Sequence, residues 1–283
     1  RRRAPPGGGV PVSAPARRPG VGAGERPLFL RELIAAQPPG ARVLDAGCGP
    51  GSWPYAGRPD LEIAAFDVKF PPGPPPRSPR VRVFRGDLAR LPLRDGGFDL
   101  VVCHYVLEHV LALEACCDEL ARLTRPGGTL YLAVPRAAAF DDRLYRFAGV
   151  FAKLALGKFR KRLEHQQRFD FHGLVDRFYA RGLRLTATAR VPAGFSWMND
   201  PRTKRLQGPF TAALAALHRV TGLDLARDAN FVLTFERVGE RGLRRVTHVC
   251  RECGEHAVVE PAPGARTWDC PWCGRPNPFG RAR

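Results

Sequence analysis

The chain has 283 residues, 44% of them hydrophobic and 25% charged, which is enough for one α/β domain of ordinary size and a small appendage. Its net charge of +18 either favours an anionic partner (nucleic acid, an acidic membrane surface, a phosphorylated substrate) or reflects an arginine-rich habit on an ordinary solvated surface. No run approaches the roughly eighteen uninterrupted apolar residues of a membrane-spanning helix, and no apolar stretch of a secretory leader follows Arg1-Arg2-Arg3, so a soluble, cytoplasmic protein is expected.

Residues 1–26 are dominated by Arg, Pro, Gly and Ala; burial there would not repay ordering, and a tail is expected. FLRELIAAQ then predicts a short helix ended by Pro38, Pro39 and Gly40, and ARVLDAGCGPG a buried strand running into a glycine turn. Further strands are expected at 61–66, 81–84, 98–103 and 130–134, with a helix over 111–123 that carries Leu113, Cys116, Leu120 and Leu123 at helical spacing. Residues 143–168 hold eight Lys or Arg against Glu164. Within them Leu144, Phe147, Phe151 and Leu154 form one apolar stripe, which suits either a lid helix packed on the domain or a helix lying on an anionic bilayer surface. A helix near 173–181 and strands at 184–191 and 230–238 follow, with 241–245 as a linker. Strands alternating with helices predict a doubly wound, mostly parallel sheet.

Asp45 ends the first strand, ahead of Gly47, Gly49 and Gly51, where glycines let the backbone turn sharply and lie against a ligand at the carboxyl edge of the sheet. The spacing is G-x-G-x-G led by Asp, not the dinucleotide G-x-G-x-x-G. Asp67 at the end of the second strand can accept from both hydroxyls of a ribose. Asp87, after the third, can accept from an adenine amino group beside an apolar wall at Leu88. Three carboxylates suit a cofactor bearing sulfonium and ammonium charges, although each Asp alone could equally be a helix cap or loop residue.

Taken in order, VLDAGCGPG, AAFD, RGDLARLPL, FDLVVCHYVLEHV and ELARLTRPGGTLYLAVP resemble the motifs of class I S-adenosylmethionine-dependent methyltransferases, and within them the methyltransferase type 11 group. The resemblance covers about residues 28–191, with 238 as its outer limit. It implies a Rossmann-like domain over 27–240 with an antiparallel last strand. It also implies Gly47, Gly49 and Gly51 against the methionine part, Asp67 on the ribose and Asp87 near the adenine. The short interval from Gly51 to Asp67, with Trp53-Pro54, departs from the pattern and implies a truncated first helix. On the acceptor side the resemblance implies that His104, at the fourth strand's tip, faces the transferring methyl group. His104, His109 and His165 are the candidate bases, with Glu108 and His109 alternatively bracing the next helix. No Asn-Pro-Pro-Tyr follows that strand, which favours oxygen as the acceptor.

The tail reads CRECG and then CPWCG, with sixteen residues between Cys253 and Cys270. Two C-x-x-C knuckles at this separation, each followed by glycine, predict a zinc ribbon over 246–283 with Cys250, Cys253, Cys270 and Cys273 as ligands; redox dithiols or an iron site are the alternatives. The functional expectation is O-methylation of a small or lipid-linked metabolite, with contact of 143–168 to an anionic membrane as a peripheral mode. The competing readings are methylation of RNA or a ribosome-associated protein recruited by the basic tail and ribbon, and a binding protein that keeps the cofactor fold without turnover. The sequence leaves oligomeric state open.

Overall fold

The computed structural model describes residues 30–49, 57–69, 80–136, 166–192, 205, 207–221, 228–239, 243, 246–259 and 264–279. The N-terminal tail, Gly51, the apolar stripe of the basic segment, His165 and most of the expected linker lie outside them.

Five strands, β1 (Arg42–Ala46), β2 (Glu62–Asp67), β3 (Val81–Arg85), β4 (Phe98–His104) and β5 (Thr124–Pro135), pair in parallel. Two later strands, β6 (Leu183–Pro192) and β7 (Asp228–Arg237), complete a seven-stranded sheet in the order β3-β2-β1-β4-β5-β7-β6, with β7 antiparallel to both neighbours. This is the expected doubly wound sheet with an antiparallel closing strand. The order reverses between β1 and β4, and open α/β sheets bind ligands beyond the carboxyl ends of strands at such a point.

Side chains on alternate strand positions build two cores. Val43, Leu100, Val102, Tyr131 and Ala133 pack on one face with Leu30 of helix α1 (Leu30–Ala35). Leu44, Ala46, Val101, Cys103, Leu130 and Leu132 pack on the other with helices α2 (Leu113–Leu123) and α3 (Phe171–Tyr179). Asp170 caps α3 by accepting from Gly173 N at 2.7 Å, and Arg58 satisfies carbonyls at the end of α1 through Ile34 O and Gln37 O.

Two expectations need correction. Helix α2 starts at Leu113, leaving Leu111 83% exposed ahead of it. Strand β5 starts at Thr124 rather than 130, because Thr124 pairs with Phe98 before a bulge absorbs the Pro126-Gly127-Gly128 run. Residues 207–221, for which no element was expected, form helix α4 (Gln207–Thr221), with Pro209 in the first turn, where proline has no hydrogen bond to lose. No described helix is long and apolar enough to cross a membrane.

Candidate active site and metal centre

Asp45, fully buried, is the penultimate residue of β1, beside its parallel neighbours β2 and β4. The chain leaves the sheet through Gly47 at φ +73° and Gly49 at φ +49°, both left-handed. A Cβ at Gly47 would lie 2.4 Å from Val106 Cγ2, so the loop after β1 and the loop after β4 touch backbone to side chain. Between the glycines, Cys48 N donates to Phe66 O at 2.8 Å. Burial, reinforced by Asp45 and Asp67, pushes the Cys48 thiol up to about 12, which keeps it from acting as a nucleophile.

Asp67 draws this edge together. Its Oδ2 accepts from Gly49 N and its Oδ1 from Lys69 N, both at 3.0 Å. One amide on each oxygen leaves acceptor capacity on both, so the carboxylate can hold the glycine loop and still receive two hydroxyls. One strand further out, the exposed Asp87 accepts from Ala89 N at 2.9 Å and closes a turn to Arg90 N at 3.0 Å. Leu88 departs from expectation: its side chain is 3% exposed and belongs to the main core, so the apolar wall expected beside an adenine is not on offer from that residue. The reason is the Asp87 turn, which aims the next side chain inward.

His104 is the last residue of β4, with its ring 4.5 Å from that of Tyr105 and 6.3 Å from that of Tyr131. Burial lowers its pKa to about 4, so it stands neutral at pH 7 and takes up a proton poorly. Tyr105 follows at φ +55°, the one non-glycine residue with positive φ among the described residues, and strain of this kind gathers at functional sites. His109 is exposed on the turn beyond, its amide donating to Val106 O at 3.0 Å. Glu108, expected to brace the next helix, instead holds the segment ahead of α3: its carbonyl accepts from Gln166 N at 2.6 Å and Gln167 N at 3.1 Å. Its side chain is a buried acid, 2% exposed, with Oε2 lacking a hydrogen-bond partner among the described residues, and burial raises its pKa to about 7.

A family model described as a methyltransferase domain matches residues 24–188, more than half of the chain. The chain belongs to the S-adenosylmethionine-dependent methyltransferase family. It is 32% identical over 116 residues to a probable S-adenosylmethionine-dependent methyltransferase of Mycolicibacterium smegmatis, covering 39% of this chain and 44% of that one. It is 30% identical over 138 residues to a malonyl-[acyl-carrier protein] O-methyltransferase of Pseudescherichia vulneris, covering 47% and 53%. With a demethylmenaquinone methyltransferase of Beutenbergia cavernae it shares 36% over 116 residues, covering 38% and 48%. The chain thus spans about half the length of the curated relatives it matches.

Beyond the seven-stranded sheet domain, the chain carries two short hairpins, β8 (Thr247–Val249) with β9 (His256–Val258), and β10 (Thr267–Asp269) with β11 (Pro276–Pro278). Each turn is a knuckle of the same build. Cys250 O accepts from Gly254 N at 2.9 Å and Cys270 O from Gly274 N at 2.8 Å, with both glycines at φ +70°. The sulfurs of Cys250, Cys253, Cys270 and Cys273 lie within 4.8 Å of one another. Cys250 Sγ is 3.6 Å from Cys273 Sγ, and Cys253 Sγ is 3.8 Å from Cys270 Sγ. Four thiolates about 2.3 Å from a tetrahedral zinc would stand about 3.8 Å apart, so the residues present fit such an ion.

The thiol chemistry agrees with that fit. Against burial, hydrogen bonds from the Cys253 amide and Asn277 bring Cys250 down to about 6, while burial and the neighbouring sulfurs push Cys253 and Cys270 up. A cation is what lets all four be anionic together. Asn277, unforeseen from the sequence, ties the knuckles: its Nδ2 donates to Cys250 Sγ at 3.4 Å and its Oδ1 accepts from Arg251 N at 2.9 Å.

Proposed function

We propose that this methyltransferase moves the methyl group of S-adenosylmethionine to an oxygen of a small or lipid-linked metabolite, and that zinc holds its four-cysteine ribbon. The observation that carries the cofactor assignment is the join of Gly49 N to the Asp67 carboxylate at 3.0 Å, which sets a ribose acceptor against a glycine loop whose backbone lies open to a ligand. The bound cofactor would supply a sulfonium methyl group, open to in-line attack with its sulfur as leaving group. Gly47 and Gly49 present backbone to the methionine part, Asp67 accepts from the ribose, and Asp87 keeps one carboxylate oxygen for the base. Neutral His104 serves as a hydrogen-bonding group toward the acceptor oxygen rather than as its base. That suits an acceptor already ionised, such as a carboxylate, since positioning then supplies most of the acceleration.

Two relatives are named for a malonyl-[acyl-carrier protein] and for demethylmenaquinone, neither of them a nucleic acid, which supports a metabolite as the acceptor. Calorimetric titration of the zinc-loaded protein with S-adenosylmethionine and S-adenosylhomocysteine tests the cofactor site. Asp67→Ala removes both the ribose acceptor and the anchor of Gly49, and is expected to weaken binding about 100-fold, the worth of roughly 2.7 kcal/mol. Wild-type protein that binds neither compound would end the reading. Transfer of labelled methyl into lipid and small-molecule fractions but not RNA would support the metabolite acceptor. Label in RNA or ribosomal protein would overturn it, and tight binding without any labelled acceptor would favour a cofactor-fold binding protein.

A further inference from the structure

The ribbon does not hang from the catalytic domain by its linker alone. Val258 of β9 is buried in the same core as Leu174, Val175 and Phe178 of α3. Arg190 of β6 meets Glu255 through two bonds of 3.0 Å, the fork-to-fork geometry of strong guanidinium–carboxylate pairs. Its guanidinium also lies 4.0 Å over the ring of Trp272.

Trp272 stands between two metal ligands, Cys270 and Cys273, in the second knuckle. Its Nε1 donates to His256 O in the first hairpin at 2.7 Å, so both halves of the ribbon fix the indole. The ring meets Phe171, the first residue of α3, edge to face at 4.9 Å and 79°. His172 meets His256 alongside at 5.5 Å.

Ahead of Phe171 the chain runs as a strap across the exits of β4 and β5. Gln166 N and Gln167 N donate to Glu108 O, Gln167 Nε2 donates to Val110 O at 3.0 Å, and Phe169 bridges Arg136 just past β5. The strap therefore covers the loop that begins at His104, on the side where the acceptor must approach.

We infer that the metal ribbon braces the acceptor wall of the site, with Trp272 as the positioning residue that clamps Phe171 and thereby holds residues 166–170 over Glu108 and Val110. Loss of the metal frees the knuckle that carries Trp272, so metal occupancy and the shape of the acceptor wall are linked. The inference rests on the methyltransferase reading for the meaning of that wall, but its test does not depend on turnover.

Hydrogen exchange on the full-length, zinc-loaded protein reads the strap directly through the Gln166 and Gln167 amides. In Trp272→Ala these amides are expected to exchange at least about tenfold faster, while the amides of β1 and β4 keep their protection. Trp272→Phe should restore most of it. Zinc, measured by release to a colorimetric chelator, should stay at one per chain, and S-adenosylmethionine binding should stay within about threefold of wild type. Should the alanine variant lose its zinc, removal of metal from the wild type by a chelator decides the matter. Faster exchange at 166–167 with β1 and β4 still protected supports the brace. Unchanged strap protection in either arm, or acceleration shared by the whole sheet, overturns it. Failure of wild-type protein to bind S-adenosylmethionine would sink the methyltransferase reading and leave the exchange result standing.

Discussion

Gly47→Ala is expected to cost about 2–5 kcal/mol of folding stability, a large share of what holds a domain together. Two independent causes add. The residue sits at φ +73°, where a Cβ crowds its own backbone for roughly 1–2 kcal/mol. The new carbon would also lie 2.4 Å from Val106 Cγ2 and 2.9 Å from Cγ1, an overlap that some movement must relieve at about 1–3 kcal/mol. The two causes separate in a double-mutant cycle, because Val106→Ala removes the facing methyls but leaves the dihedral strain. Urea unfolding of the four proteins should therefore show the double variant recovering the steric part only. A single variant within about 0.5 kcal/mol of wild type would mean that the two loops are not in contact as described. Because Val106 lies two residues past His104, the same substitution should also weaken S-adenosylmethionine binding beyond its effect on stability.

What the sequence disclosed and what it withheld divide along one line. Glycines and carboxylates at strand ends are local signals, so Gly47, Gly49 and Asp67 could be singled out, and the structure brings Gly49 and Asp67 into hydrogen-bond contact. The C-x-x-C spacing is equally local, and the four sulfurs converge. The features that escaped depend on partners far along the chain. Trp272 reads as filler between two cysteines until Phe171 and Arg190 arrive from about a hundred residues earlier. Asn277 reads as a loop residue until it spans both knuckles. Leu88 looked available as a binding wall because nothing in RGDLARLPL reveals that the Asp87 turn points the next side chain into the core. Helix α4 had no reading at all, although its Pro209 sits in the first turn, a position that suits a helix start.

The buried acid at Glu108 gives a pH dependence of stability that a single substitution can isolate. Its Oε2 has no hydrogen-bond partner among the described residues, and burial raises its pKa from 4.5 to about 7 in the folded chain. The folded state thus holds this proton more tightly than the unfolded state. The stability it contributes is full below pH 4.5, declines as the pH rises, and is gone above about pH 7, a change on the order of 3 kcal/mol. Glu108→Gln fixes a neutral side chain of the same shape, so the variant should gain on wild type across that window by about the same amount and run parallel to it on either side. The amide brings two donors into a site that offers them little, a penalty of about 1–3 kcal/mol that does not vary with pH. The slope of the difference, not its sign at one pH, is therefore what carries the result, and thermal unfolding at half-unit steps from pH 4.5 to 8 reads it. A flat difference would mean that Glu108 stays ionised across that range in the folded chain. A slope of the expected sign would make it the neutral acid under the acceptor wall, turning ionised as the pH passes 7 and loosening the loop whose carbonyl holds Gln166 and Gln167.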